Sequence, residues 1–173
     1  MNRLFVQGIG LLGTGLFFLS YQCRSNKNLF RVQFASYLCY TVHFLLLGAV
    51  TGGISYVLNT VRSFCLGSRH GFLRSKHMCR IICLLQLLTL VLTWEGWWSA
   101  LPVVANIAAT LGGYTFNARK IRIAGMFVNS PLWIIYNIIV GSWAGILDEI
   151  VTELSMILSI YRYGWKNLDT VEN

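Results

Sequence analysis

Three acidic residues lie within one apolar stretch near the end of the chain. Asp148, Glu149 and Glu153 fall between residues 144 and 161, and Glu149 and Glu153 share one face of a helix because they are four residues apart. A charge near the centre of a bilayer costs about 2.5–3.5 kcal/mol on insertion scales, so it usually faces a cavity or a partner. Glu153 is therefore a candidate to bind a solute, a proton or a cation. A structural ion pair with Arg62 is the alternative.

Asp148 is a second candidate for ion coupling, and His43 is a third. Imidazole titrates near neutral pH, so His43 could couple transport to protons. The alternatives are that Asp148 and Glu149 reach water at the end of their helix and that His43 is a hydrogen-bonded structural residue.

Uncharged polar residues inside other apolar stretches are candidates for contact with a solute. These are Asn59, Asn106, Asn129 and, beside Glu153, Thr152. An amide both donates and accepts hydrogen bonds, which suits the hydroxyl or amide groups of a small solute. The alternative is hydrogen bonding between helices, at about 1 kcal/mol each in membranes.

The sequence predicts neither an enzyme nor a bound cofactor or metal. No Ser/His/Asp set or metal constellation is recognisable. The Gly8-Ile-Gly10-Leu-Leu-Gly13 segment matches GxGxxG, but a dinucleotide site needs a preceding strand and an acidic residue beyond it, and the first acidic residue is Glu95. The five cysteines contain no CxxC pair and are predicted to be reduced.

The elements that position these residues are predicted to be transmembrane helices. Hydrophobic residues make up 55% of the chain and charged residues 12%, half the charged share of a globular protein. Seven apolar stretches follow one another: 4–21, 32–50, 52–66, 79–94, 100–116, 121–140 and 144–161. Pro131 should interrupt the sixth. The expected fold is an all-α integral membrane protein whose main partner is the lipid bilayer.

The charge distribution predicts the orientation of the chain. The net charge is +8, yet the basic residues form short clusters between apolar stretches and present no surface for nucleic acid. With seven spans, every Lys and Arg except Arg3 falls on one side. Because cytoplasmic loops carry the excess of positive charge, the amino terminus is expected outside and the carboxyl terminus in the cytoplasm.

A faint internal repeat predicts how the helices are grouped. The segment from His43 to Gly52 can be aligned with the segment from Tyr136 to Gly145, each marking a tight outer turn. We expect two parallel three-helix repeats, residues 1–66 and 100–162. A basic cytoplasmic loop and a linking helix would join them through 67–99, and a cytoplasmic tail would follow at 163–173. The alignment places Asn59 opposite Thr152.

Short motifs in this chain resemble the YgjV family of bacterial inner membrane proteins. They are Gln7-Gly8-x-Gly10, the turn from His43 to Gly48, Leu58-Asn59-x-x-Arg62, and Tyr136-Asn137 before Gly141-x-x-x-Gly145. The resemblance covers nearly the whole chain and implies a location in the bacterial inner membrane. The family's layout is in turn similar to that of the SWEET and PQ-loop transporters.

Architecture and buried polar residues together predict a transporter of a small polar solute, with its site between the two repeats. The alternative is a non-transporting membrane scaffold or partner-binding protein. Because several spans are shorter than the ~20 residues that usually cross a bilayer, association into a homo-oligomer is also considered.

Overall fold

The computed structural model describes residues 3–165 and Leu168, and this part of the chain is helical without strands. Seven long helices follow in order: α1 Arg3–Tyr21, α2 Asn26–Leu46, α3 Val50–Gly67, α4 Lys76–Leu92, α5 Ala100–Gly113, α6 Ala118–Val140 and α7 Trp143–Tyr163. A short 3₁₀ turn, Trp97–Ser99, leads into α5. The predicted all-helical class and the number of helices are therefore confirmed.

Two helices begin earlier than their apolar stretches, because serine residues cap them. The Ser25 hydroxyl accepts a hydrogen bond from the backbone N–H of Asn28 at 3.2 Å, and the Ser75 hydroxyl accepts one from Met78 at 3.3 Å. Such caps satisfy the free N–H groups at a helix start. As a result α2 begins at Asn26 instead of 32, so Lys27 and Arg31 are helical while Arg24 precedes the helix.

Two glycines allow the tight turns that the internal repeat predicted. Gly48 has a φ of +78° between α2 and α3, and Gly141 has a φ of +70° between α6 and α7. L side chains are disfavoured in this left-handed region, whereas glycine adopts it without strain. The neighbouring helices in each pair are consequently joined by only a few residues.

The predicted interruption at Pro131 takes the form of a π-helical turn. α6 is α-helical over Ala118–Ala124, π-helical over Gly125–Asn129 and α-helical again over Ser130–Val140. Proline has no N–H to donate to the preceding turn, and single π turns of this kind are frequent at functional sites. Asn129 belongs to the π turn itself.

Six of the helices close into a ring. α1 packs between α2 and α7, α3 packs between α2 and α5, and α6 packs between α5 and α7. α4 bridges α3 and α5. Side chains that point inward from α1, α2, α3, α5, α6 and α7 therefore meet at the centre of one bundle.

The interior of the bundle is polar and aromatic, and its outer surface is apolar. Buried polar residues outnumber buried hydrophobic ones, whereas large hydrophobic side chains such as Leu4, Val91 and Phe127 are exposed. A water-soluble protein usually shows the opposite distribution. Two helices, α1 and α6, are long and apolar enough to cross a membrane by length and composition alone.

Candidate functional site

Three buried side chains from three helices form a hydrogen-bonded group, called here the amide cluster: Asn59 of α3, Asn106 of α5 and Trp133 of α6. The Asn106 Oδ1 atom accepts hydrogen bonds from Asn59 Nδ2 at 2.9 Å and from Trp133 Nε1 at 3.2 Å. All three are almost fully buried. Asn59 Oδ1 and Asn106 Nδ2 have no partner, so the cluster retains one free acceptor and one free donor.

Arg62 lies next to the amide cluster and contacts only neutral groups. It donates to the Tyr37 hydroxyl at 2.9 Å, the Asn106 carbonyl at 3.4 Å and the Thr110 hydroxyl at 3.5 Å. The guanidinium is buried, and its Nε atom has no hydrogen-bond partner. The ion pair with Glu153, considered from the sequence, is not formed because α2 and α5 surround Arg62 while Glu153 belongs to α7.

A small cavity opens beside Arg62 inside the bundle, toward the end at which α1 ends and α2 and α6 begin. Its volume is about 20 Å³, enough for roughly one water molecule. Its polar lining comes from Gln33, Tyr37, Arg62 and Asn129. Asn129 is held there by a hydrogen bond from its Nδ2 atom to the carbonyl of Ala105 at 3.0 Å. Asn129 and the amide cluster are thus close neighbours.

The carboxylates of α7 form a second group, called here the acidic cluster: Asp148, Glu149, Glu153 and, facing them from α6, Ser130. Ser130 lies close to both glutamates, and its hydroxyl makes no hydrogen bond of its own. Asp148 Oδ1 and Glu153 Oε1 are also without a partner. Asp148 and Glu149 are buried and Glu153 is half-buried, and within the described residues no arginine or lysine pairs with them.

Aromatic side chains connect the acidic cluster to Arg62, which lies next to the amide cluster. The Tyr40 hydroxyl shares a 2.6 Å hydrogen bond with Thr14, and both groups lie beside Asp148. Tyr40 stacks on Tyr56, with ring centroids 5.1 Å apart, and Tyr56 lies 5.6 Å from Tyr37, the partner of Arg62. A continuous path of buried tyrosines runs from the acidic cluster to Arg62.

Thr152 and His43 occupy different positions from the amide cluster. Thr152 is buried next to Glu153 in α7, and because its hydroxyl makes no hydrogen bond, it is not bonded to Asn59. Both ring nitrogens of His43 are used, Nδ1 with the carbonyl of Val6 at 2.8 Å and Nε2 with the Ser142 hydroxyl at 2.9 Å. This geometry favours the structural alternative for His43.

A family model that describes a bacterial inner membrane protein, Imp-YgjV, matches residues 4–167. The chain belongs to this family. The resemblance seen in its motifs is confirmed, and with it a location in the bacterial inner membrane. No curated protein and no solved structure matches the chain significantly.

Several residues of this YgjV-family site escaped the sequence analysis. Trp133 and Tyr37 carry amphipathic rings, which are equally common in a protein core, so the sequence alone does not mark them as site residues. Arg62 was considered only as an ion-pair partner. Ser130 had one available signal, its position next to Asn129 in an otherwise apolar helix. Gln86 of α4 is likewise a polar residue in an apolar helix. Its side chain is fully buried, and neither of its amide atoms is hydrogen-bonded.

Over the described part of the YgjV-family chain, no three His, Cys, Asp or Glu side chains are grouped so as to hold a metal. The five cysteines are free. In the turn between α1 and α2, burial raises the pKa of the Cys23 thiol and disfavours a reactive thiolate.

Proposed function

We propose that this inner membrane protein is a multi-pass transporter of a small polar solute. In this proposal α1–α3 and α5–α7 are two parallel three-helix repeats, α4 links them, and the solute site lies at the centre of the ring. One observation carries it: polar groups from both halves converge in the interior, and several have no hydrogen-bond partner.

The unpaired atoms of the amide cluster indicate the chemistry of the solute. Asn59 Oδ1 can accept a hydrogen bond and Asn106 Nδ2 can donate one. A buried amide without partners is costly, so a solute that supplies a donor and an acceptor is favoured. Hydroxyl and amide groups meet this requirement. The amide cluster and Asn129 would bind the solute. Glu153 and Asp148 would bind the proton or cation whose movement is coupled to that of the solute.

Reciprocal contacts between the two outer turns support the repeat. His43, in the first half, bonds Ser142 at the start of α7, and Tyr136, at the aligned position of the second half, bonds the backbone N–H of Gly52 in α3 at 3.0 Å. Gln7 of α1 accepts a further bond from the N–H of Ala144 at 2.9 Å. Each half thereby forms hydrogen bonds with residues at or beside the outer turn of the other half.

The positions of the basic residues support the orientation. Consecutive helices of a bundle with such short outer turns run in opposite directions, and the clusters at residues 24–31, 69–80 and 119–122 then lie at one end. By the positive-inside rule this end is cytoplasmic. α5 has 14 residues and is about 21 Å long, so its span would need local thinning of the bilayer or burial by neighbours.

A ligand screen tests the transport proposal. The melting midpoint of the detergent-purified protein would be measured with sugars, amino acids, nucleosides and polyamines. Asn59→Ala and Glu153→Gln would be compared with Gln7→Leu, which removes one hydrogen bond far from the proposed site. A solute should stabilise the wild type and Gln7→Leu but not the two site variants. That solute should then accumulate in proteoliposomes, with or without a pH gradient.

A non-transporting scaffold is the second candidate, favoured by the small volume of the internal cavity, about 20 Å³, and by the many bonds between helices. In that case the buried polar residues would only join helices together. All three variants would lower the melting midpoint by similar amounts, and no solute would raise it. That result would contradict transport.

A further inference from the structure

A crevice lies at the basic end of the bundle, between α2 and α3. It has a volume of about 260 Å³, and its lining includes Arg31 and Phe34 of α2, Ser63, Phe64 and Gly67 of α3, and Arg69 just beyond α3. None of these residues belongs to the amide or acidic cluster. The crevice is therefore a separate site, whose role does not depend on transport.

Within residues 3–165, no acidic side chain compensates the positive charge of the crevice. Arg31 and Arg69 are exposed and share its lining, and Lys27 lies close enough to both to be repelled by their charges. The acidic residues within residues 3–165 lie elsewhere, Glu95 after α4 and the others in α7. An anion bound between the two arginines would relieve this repulsion.

The walls of the crevice are aromatic, which a site for a free anion does not require. The rings of Phe34 and Phe64 are 6.2 Å apart, and Phe64 is 59% exposed on the outer face of α3. In a family of inner membrane proteins such a face contacts lipid acyl chains. Charge and apolar surface therefore meet at one place, as they do in a phospholipid.

A serine and a glycine of α3 form part of the wall of the crevice. The Ser63 hydroxyl is fully buried and has no hydrogen-bond partner. Gly67 lies beside it, and a Cβ atom there would approach Arg31 Cγ to 3.2 Å. The glycine thus lets the aliphatic stem of Arg31 lie against the end of α3, with the guanidinium next to the crevice.

We propose that this crevice binds an anionic phospholipid, with Arg31 and Arg69 contacting its phosphate and Phe34 and Phe64 contacting its acyl chain. Basic pockets between transmembrane helices on the cytoplasmic side are known to take anionic headgroups.

Lipid binding to the full-length, detergent-purified protein tests this proposal, using native mass spectrometry with phosphatidylglycerol, cardiolipin and phosphatidylethanolamine. The double variant Arg31→Gln/Arg69→Gln should bind phosphatidylglycerol about 25-fold more weakly than the wild type, as expected for the loss of two basic contacts. The matched control Lys76→Gln/Arg80→Gln removes two exposed charges from the start of α4 and should change binding less than about threefold. Phosphatidylethanolamine should bind weakly to all three proteins.

Phe64→Ala separates a lipid site from a site for free phosphate. It should weaken phosphatidylglycerol while leaving both arginines in place. The proposal is overturned if the α4 control loses as much binding as the crevice variant, because attraction would then be diffuse. It is also overturned if phosphatidylethanolamine binds as tightly as phosphatidylglycerol. Stabilisation by millimolar inorganic phosphate, with no effect of Phe64→Ala, would assign the crevice to a soluble anion and equally overturn it.

Discussion

Replacing Asn106 with leucine tests whether one carbonyl oxygen holds three helices together. Asn106 Oδ1 accepts from Asn59 at 2.9 Å and from Trp133 at 3.2 Å, so Asn106→Leu leaves two buried donors unpaired. Hydrogen bonds between membrane helices average about 0.6 kcal/mol and reach about 1.7 kcal/mol, which gives a loss of roughly 1–3 kcal/mol in the free energy of unfolding. Asn59→Leu removes only one of these bonds, and Trp133 keeps its acceptor.

Unfolding by sodium dodecyl sulfate in mixed micelles provides the measurement. Asn106→Leu should cost at least twice as much as Asn59→Leu, and the double variant should cost less than the sum because both changes remove the same bond. Each leucine also eliminates one unpaired amide atom, Oδ1 of Asn59 or Nδ2 of Asn106. The gain in stability from removing that atom is therefore similar in the two variants and cancels when they are compared. The reasoning is refuted if Asn59→Leu costs as much as Asn106→Leu, or if the two effects are additive.

Three further outcomes are expected. Gly145→Ala should lower the free energy of unfolding by about 1–3 kcal/mol, because the added Cβ would lie 2.5 Å from Asn137 Oδ1. The control Gly8→Ala should not destabilise, because a Cβ there meets no atom within 4 Å. Denaturation of both variants checks this. Tyr136→Phe should lower the melting midpoint, because it leaves the N–H of Gly52 unpaired, and no drop would contradict the contact between the turns. Fusions to reporter enzymes should show that the amino terminus is outside and the carboxyl terminus is in the cytoplasm. If both termini are found on the same side, the prediction of seven spans is rejected.

Sequence reasoning was most successful where a local rule determines the structure. The turns at Gly48 and Gly141 follow from backbone conformations that glycine adopts and other residues resist. The apolar stretches predicted all seven helices, although the cap at Ser25 lengthened α2 beyond its apolar part. Boundaries shifted where a polar helix end continues past the hydrophobic region.

Pairing between helices could not be predicted in the same way. The repeat alignment compares positions along the bundle, but it does not determine which direction a side chain takes around the helix axis. The bond from Asn59 to Asn106 and the bond from Arg62 to Tyr37 were therefore not predicted from the sequence. Such contacts depend on which helices become neighbours in the ring.

The π turn in α6 changes the angular phase of that helix. Before the turn the buried positions follow an α-helical period, ending at Gly125, and after it they resume at Ser130, five residues later, and continue to Trp133 and Asn137. An unbroken α-helix advances 100° per residue. Deleting one residue from the π turn would thus rotate Ser130 and Asn137 by about 100° from the ring's centre. One inserted residue is enough to determine which polar groups the membrane protein keeps inside and which it would present to lipid.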